Sequence, residues 1–209
     1  MRIHGITKMT AEYFDKDYFT DGIKSHKSGY DADSFVLRND IFKNQALMLI
    51  DILNLENKIV LDIGCARNNL AYWFSELGID AYGIDISQWC FANSHLPQKH
   101  FLGDIEDGIP KGDKFFDYVV SFEVFEHFQN PDTAITEIKR VLKDNGVLFA
   151  TIGAGDHKHD VSAVSAYNKN WWTSTLCRRF TNVLPDLESR FLEHSLVKTY
   201  NWTPYCYQK

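Results

Sequence analysis

The chain has 209 residues, of which 44% are hydrophobic and 14% aromatic, and its formal net charge is -6. This length suffices for one domain with a sizeable core, while the acidic balance disfavours nucleic acid, whose binding rests on phosphate neutralisation by Lys and Arg. The four cysteines show no metal-ligand spacing, which indicates free thiols in a reducing compartment. With no signal-peptide pattern or membrane-length apolar run, we expect a cytoplasmic protein without a membrane partner.

Residues 1–38 are polar and aromatic with little periodicity. We expect them to form a cap or lid over a core made of residues 39–209, within a single domain of residues 1–209. Many aromatic side chains lie outside this core's main pattern and either line a substrate pocket or seal the edges of a sheet. They are Tyr13, Phe14, Tyr18, Phe19, Tyr30, Trp171 and Trp172.

The next segments alternate between helical and strand patterns. Apolar residues at helical spacing predict a helix over residues 39–53, and residues 59–63 form a short apolar strand. The spacing of Leu70, Trp73, Phe74 and Leu77 predicts a second helix, which Gly78 ends.

The turn between that strand and the second helix has the form of a nucleotide-sized pocket. Gly64 and Ala66 let the backbone turn sharply and come close to a ligand. The G-x-G-x-x-G phosphate-binding pattern is missing, and Asp62 stands inside the strand end. An acid at this point repels pyrophosphate but suits a cationic ligand, such as one carrying an ammonium and a sulfonium.

Two further short strands end in acidic residues. Residues 81–85 end at Asp85, which follows Asp62 at roughly the 20-residue separation typical of a carboxylate that grips two ribose hydroxyls. Residues 100–102 lead to Asp104, which is expected to accept a hydrogen bond from an adenine amino group. Ile86 and Ile105 are expected to flank the adenine ring.

The second half of the chain continues the alternation. A fourth strand is predicted over residues 115–121, and Asn130-Pro131 is typical of a helix start, with Ala134, Ile135, Ile138, Val141 and Leu142 buried. Residues 146–152 form a fifth strand. A loop over 153–169, a helix over 171–180 and at least one closing strand within 196–207 are expected.

Five segments, taken in order, resemble class I S-adenosylmethionine-dependent methyltransferases. They are VLDIGCA at 60–66, GIDIS at 83–87, GDI at 103–105, FDYVVSFEVFEH at 116–127 and VLKDNG at 141–146. The resemblance covers about residues 41–152 and implies an α/β Rossmann-like fold, a doubly wound and mostly parallel sheet that binds S-adenosylmethionine. The cofactor-binding residues that it implies are Asp62, Gly64, Cys65, Ala66, Asp85, Ile86, Asp104, Ile105, Ser121 and Phe122.

The turn departs from the G-x-G-x-G loop of this family at two positions. Ala66 and Asn68 replace the second and third glycines. Asn68 is expected either to adopt the left-handed conformation, which asparagine tolerates, or to belong to a turn that is built differently.

Methyl transfer to a hydroxyl needs a base that takes the acceptor's proton. His127, after the fourth strand, and His157 or His159, after the fifth, are the candidates because histidine titrates near neutral pH. The alternatives are that His127 hydrogen-bonds backbone or cofactor, and that residues 156–160 form a solvated loop.

The run Glu123, Glu126 and His127 resembles a stretch of the quinone-biosynthesis O-methyltransferases that is associated with a divalent metal. Two carboxylates and an imidazole this close could hold a cation beside an acceptor oxygen. We favour the metal-free alternative, in which Glu123 orients the site and Glu126 caps a helix or faces solvent.

These observations predict an enzyme that transfers a methyl group to a small acceptor, a hydroxyl of a sugar or another polar metabolite. Residues 160–172 resemble a segment of small methyltransferases found with glycan-modifying enzymes, and the motif of nucleobase amino-methyltransferases is missing after the fourth strand. The open alternatives are methylation of protein or tRNA, a catalytically silent cofactor-binding partner subunit, and aminopropyl transfer from the decarboxylated cofactor. The three aspartates favour an intact cofactor site.

Overall fold

The computed structural model describes residues 10–26, 28, 30–36, 40–153, 163, 167–195, 197 and 202–209. Seven strands form one sheet, with the order β3-β2-β1-β4-β5-β7-β6. The strands are β1 Ile59–Ile63, β2 Asp80–Asp85, β3 His100–Leu102, β4 Phe116–Phe122, β5 Leu142–Thr151, β6 Asn182–Val183 and β7 Pro204–Gln208. The first five strands pair in parallel, and β7 pairs antiparallel with both β5 and β6. The predicted α/β, mostly parallel sheet is confirmed.

Helices cover both faces of the sheet, as in a doubly wound fold. The α-helices are α1 Lys16–Thr20, α2 Gly22–Ser25, α3 Asp40–Leu53, α4 Asn69–Glu76, α5 Gln88–Ala92, α6 Pro131–Val141, α7 Lys169–Cys177 and α8 Pro185–Glu193. Residues from α6 and α7 share one apolar cluster with the sheet, and residues from α3, α4 and α8 share the other. No helix within the described ranges is long and apolar enough to cross a membrane.

Strand alternation explains why both sheet faces are apolar. In β1, Leu61 and Ile63 belong to the α6 cluster, whereas Val60 belongs to the α3 cluster. Because side chains two residues apart share a face, Asp62 projects from the same face as Val60. We call this the α3 face of the sheet.

Most predicted elements match the structure closely, and the differences have local causes. Leu142, predicted as the last buried residue of a helix, has extended backbone and pairs with Phe116 as the first residue of β5. Asn130 occupies the predicted N-cap position of α6 without a side-chain cap hydrogen bond. The strand β6 and helix α8 were not predicted.

Part of the predicted cap is described and lies over the carboxyl ends of the strands. Tyr18 and Phe19 of α1 are buried and cluster with Tyr13, Phe14, Tyr30 and Phe35 of the cap and with Ala66, Trp89 and Cys90 of the core. The cap is therefore packed on the segments that follow β1 and β2.

Candidate cofactor and acceptor site

A cavity of about 470 Å³ opens at the carboxyl ends of β1, β2 and β4, beneath the cap. Nine of the ten predicted cofactor-binding residues line it: Asp62, Gly64, Cys65, Ala66, Asp85, Ile86, Asp104, Ile105 and Phe122. Binding at the carboxyl ends of parallel strands is the rule for open α/β sheets. The volume is within the range of small-molecule sites.

Ser121 is the exception. Its side chain is fully buried, and its hydroxyl donates a 3.2 Å hydrogen bond to the carbonyl of Ile63. Ser121 is not a lining residue, and its side chain links β4 to β1.

The turn after β1 is held in left-handed backbone conformations. Gly64, Ala66 and Asn68 all have positive φ, and Asn68, at φ 64° and ψ 34°, adopts the left-handed conformation, the first of the two alternatives expected for it. The side-chain amide of Asn68 donates to the carbonyls of Leu96, at 3.1 Å, and Lys99, at 3.4 Å. Asparagine thus replaces a glycine here while adding anchors to the segment that follows α5.

Gly83 makes room for that turn, which the sequence reasoning missed. A Cβ at Gly83 would lie 2.6 Å from Sγ of Cys65 and would collide with the side-chain oxygen of Asn68. Only glycine allows β2 to approach the turn this closely. A glycine inside a strand was the available signal.

Asp85 links the turn to β2. Its carboxylate accepts hydrogen bonds from the amides of Ala66 and Ser87, both 2.8 Å long. Burial nevertheless raises the pKa of this carboxyl to about 6. A carboxylate has about four lone-pair sites, so the Asp85 carboxylate can also accept from a hydroxyl donor in the cavity.

Asp62 is only 5% exposed and lines the same cavity. Burial, and secondarily the charge of Asp85, raise its pKa well above the ordinary value. In the described part of the chain, no group donates a hydrogen bond to its side chain. A buried carboxylate that no hydrogen-bond donor satisfies favours a cationic partner. The site therefore fits a ligand that carries an ammonium group.

The segment after β3 is fastened to the segment after β4. The Asp104 side chain accepts a 2.9 Å hydrogen bond from the amide of Glu106. The Glu106 carboxylate accepts from the amides of Gln129, at 2.6 Å, and Asn130, at 3.0 Å. This connection fixes one side of the cavity, and Glu106 was not singled out from the sequence because its partners are distant along the chain.

The residues at the end of β4 divide between the cavity and the core. Glu123 and His127 line the cavity, and the His127 ring meets the Phe14 ring edge-on with centroids 6.0 Å apart. Glu126 is buried and does not line it. Among the residues that the structure describes, no group of three His, Cys, Asp or Glu side chains is arranged to hold a metal ion. His157 and His159 lie outside the described residues.

Rings of the cap form the apolar wall of the cavity. The cap contributes Phe14, Tyr18, Phe19, Tyr30 and Phe35. By contrast, Trp171 and Trp172 do not line the cavity and pack in or against the α6 cluster. The pocket-lining alternative therefore holds for most of the cap, whereas the two tryptophans pack with the apolar core on one face of the sheet.

Hydrogen bonds tie the cap to the loops that form the cofactor side of the cavity. The Ser87 hydroxyl donates to the carbonyl of Phe14 at 2.5 Å. Asn69 and Arg67 donate from their side chains to the carbonyl of Phe35, at 3.0 Å and 3.4 Å. The donors follow β1 and β2 directly, so the cap's position depends on the conformation of those two loops.

Comparison with known proteins shows the family to which the chain belongs. Residues 38–198 match the family model described as a methyltransferase domain. The ubiquinone biosynthesis O-methyltransferase of Pelagibacter ubique is 33% identical over 100 residues, covering 46% of this chain and 42% of that protein. The enzyme of the same name from Bartonella quintana is 30% identical over 109 residues, covering 49% and 44%.

Solved structures share the fold at low identity. The cyclase SpnF has a TM-score of 0.61 at 16% identity, with 80% of each chain covered. A Haemonchus contortus phosphoethanolamine N-methyltransferase, solved with S-adenosylhomocysteine, has a TM-score of 0.57 at 17% identity, covering 82% of this chain and 58% of that one.

The chain spans less than half the length of the two curated relatives. The family match covers most of the chain, which therefore belongs to the methyltransferase-domain family and has the fold of class I S-adenosylmethionine-dependent methyltransferases.

Proposed function

We propose that this protein transfers the methyl group of S-adenosylmethionine to a hydroxyl of a small acceptor, a sugar or another polar metabolite with a flat face. One observation carries the proposal. A single cavity has buried carboxylates on its sheet side and aromatic rings, Glu123 and His127 on its other walls. The name O-methyltransferase of the two curated relatives supports oxygen as the methylated atom.

The carboxylates of the cavity suit the charges and hydroxyls of the cofactor. Asp62 would hold the ammonium group, and Asp85 would accept from the ribose hydroxyls. Asp104 would accept from the adenine amino group, with Ile86 and Ile105 on either side of the ring. When bound, S-adenosylmethionine supplies an electrophilic methyl group.

The protein itself positions the acceptor, excludes water from the cavity and removes the proton of the acceptor's hydroxyl group. The rings of the cap exclude water and present flat apolar surfaces, against which a sugar ring or a phenol can lie. His127 is the described candidate for the base that takes the acceptor's hydroxyl proton, since it lines the cavity beside Phe14. Glu123 lines the same wall and would orient the acceptor.

The test is a screen for methyl transfer. Purified protein is incubated with S-adenosylmethionine labelled in its methyl group and with panels of nucleotide sugars, free sugars and phenols, and labelled products are identified by mass spectrometry. We expect label on oxygen in one of these classes, and loss of product with His127→Ala. Tight cofactor binding without transfer to any small molecule, but with transfer to proteins or tRNA, would contradict the proposal.

A silent cofactor-binding subunit predicts a different result. It would bind S-adenosylhomocysteine but leave every acceptor unlabelled, alone or with added protein. An aminopropyl transferase would bind the decarboxylated cofactor in preference to S-adenosylmethionine. Cofactor affinities measured beside the screen therefore separate all three functions.

A further inference from the structure

A polar residue interrupts the apolar stripe of α3. Gln45 lies three residues after Phe42 and four residues before Leu49, and Ile52 continues this spacing. All four positions therefore lie on one face of the helix. Gln45 is only 5% exposed, and it lines the cavity together with Phe42. The helix therefore carries a carboxamide on the side that it turns toward the sheet.

A buried carboxamide is costly unless its donors and acceptor are satisfied. Among the described residues, no side chain or backbone group makes a hydrogen bond with the side-chain carboxamide of Gln45. Because Gln45 lines the cavity, a molecule bound there can form the hydrogen bonds that its carboxamide needs. The position of Gln45 therefore points to a role in ligand binding and not only in packing.

The position of Gln45 identifies which end of the cofactor it faces. Helix α3 packs on the α3 face of the sheet, through Ala46 and Leu49 against the cluster that contains Val60. Asp62 projects from that same face, and both Asp62 and Gln45 line the cavity. By contrast, Asp85, Asp104 and Ile105 line it from the ends of β2 and β3, farther along the sheet.

We propose that Gln45 binds the α-carboxylate of the cofactor's methionyl end, next to the ammonium group held by Asp62. The amide NH₂ supplies two donors without adding a second charge beside Asp62, whereas an acid here would repel the carboxylate. This gives the site its selectivity for S-adenosylmethionine over the decarboxylated cofactor. The proposal rests on the cofactor and is independent of the acceptor.

The experiment measures affinity and not turnover, so it does not depend on knowing the acceptor. Calorimetry compares S-adenosylhomocysteine with 5′-deoxy-5′-(3-aminopropylthio)adenosine, which differs only in lacking the carboxylate. The variants are Gln45→Met, which keeps the length of the side chain and removes its donors, and Gln45→Glu, which replaces them with a charge. Asn44→Leu removes an amide from the exposed side of the same helix and is the matched control.

We expect Gln45→Met to weaken binding of S-adenosylhomocysteine about tenfold or more, with less than a threefold effect on the decarboxylated analogue. Gln45→Glu should reverse the preference, so that the analogue binds more tightly than S-adenosylhomocysteine. Asn44→Leu should leave both affinities unchanged. Thermal unfolding without ligand should show that both Gln45 variants fold, because each replacement has nearly the same shape.

Equal weakening of both ligands by Gln45→Met would overturn the proposal, because a general distortion of the site does not distinguish them. Unchanged affinity for both would overturn it as well, since the amide would then have no cofactor partner. If Gln45→Met fails to fold, the ligand preference of Gln45→Glu decides the question alone. Wild-type binding of S-adenosylhomocysteine is measured in the same series, so failure of this proposal is separate from failure of the proposed methyl transfer.

Discussion

The carboxylate of Asp85 accepts a 2.8 Å hydrogen bond from the amide of Ala66, and this contact joins the end of β2 to the turn that follows β1. Ala66 stands in a left-handed conformation that few residues other than glycine adopt readily. The same carboxylate thus shapes the turn and faces the cavity.

Replacing Asp85 tests its assignment to the ribose hydroxyls. Asp85→Ala should weaken binding of S-adenosylhomocysteine at least tenfold, because two charge-assisted hydrogen bonds, each worth about 1.5–3 kcal/mol, are lost. Asp85→Asn keeps the shape and removes the charge, and it should give an intermediate loss. Calorimetry that shows unchanged affinity in a folded Asp85→Ala protein would reject the assignment.

The pH dependence of cofactor binding follows from the pKa of Asp85, which burial raises to about 6. Hydroxyl donors bind the ionised form, so affinity for S-adenosylhomocysteine should be constant above about pH 7 and fall as the pH drops through 6. Binding near pH 6 should therefore release protons, measurable by calorimetry in buffers of different ionisation enthalpy. Asp85→Asn should reduce this release, and an unchanged release would assign the titration elsewhere, with Asp62 the first candidate.

The buried carboxyl group of Asp62 lowers the stability of the free protein when it ionises, and it favours cofactor binding. Because burial raises its pKa above that of the unfolded chain, its stabilising contribution is complete below about pH 3.9 and is lost as the pH rises through the folded-state value. Ionisation of Asp62 therefore opposes folding of the free protein. Asp62→Asn should raise the Tm without ligand, by roughly 2–4 °C per kcal/mol for a chain of this size, while weakening cofactor binding.

Thermal unfolding with and without S-adenosylhomocysteine checks both halves of this expectation. The ligand should raise the Tm of the wild-type protein more than that of Asp62→Asn. A lower Tm in the free variant would show that the carboxylate is stabilising at neutral pH, contrary to the direction of its pKa.

The cap should respond to the cofactor because its anchors lie in the cofactor loops. We expect hydrogen exchange in residues 10–36 to slow when S-adenosylhomocysteine is added. Ser87→Ala, which removes the bond to the carbonyl of Phe14, should weaken that protection. Because Ser87 also caps α5 by accepting from the amide of Cys90, exchange within α5 is the control. A cap that exchanges equally fast with and without ligand would contradict its role as a lid.

Base and metal hypotheses at the end of β4 make opposite predictions. With His127 as a base, turnover should rise through one pKa in the neutral range, survive chelator and fall about 10²- to 10⁴-fold in His127→Ala. A metal held by Glu123, Glu126 and His127 would make turnover vanish with chelator and return with Mg²⁺ or Zn²⁺, and Glu126→Ala would be as damaging. We favour the first hypothesis. If neither chelator nor His127→Ala affects turnover, His157 and His159 are the next residues to test.

The acids of the cavity were predictable because strand alternation and strand ends are local features. Asp62 lies one residue before the end of a short apolar run and Asp85 ends another, and the residue pattern alone shows this. Glu106 and Gln45 were not predictable, because their importance depends on which backbone or cavity the fold brings to them. Likewise, Leu142 continues a helical pattern, and only its pairing with Phe116 makes it a strand residue.

A crystal structure of the complex with S-adenosylhomocysteine shows whether Asp62 and Asp85 hold the cofactor. We expect the ammonium group to lie within hydrogen-bond distance of Asp62 and the ribose hydroxyls within that distance of Asp85, with the rings of the cap closing the cavity. Density for the ligand in this cavity with either carboxylate out of contact, or in another part of the molecule, would contradict it.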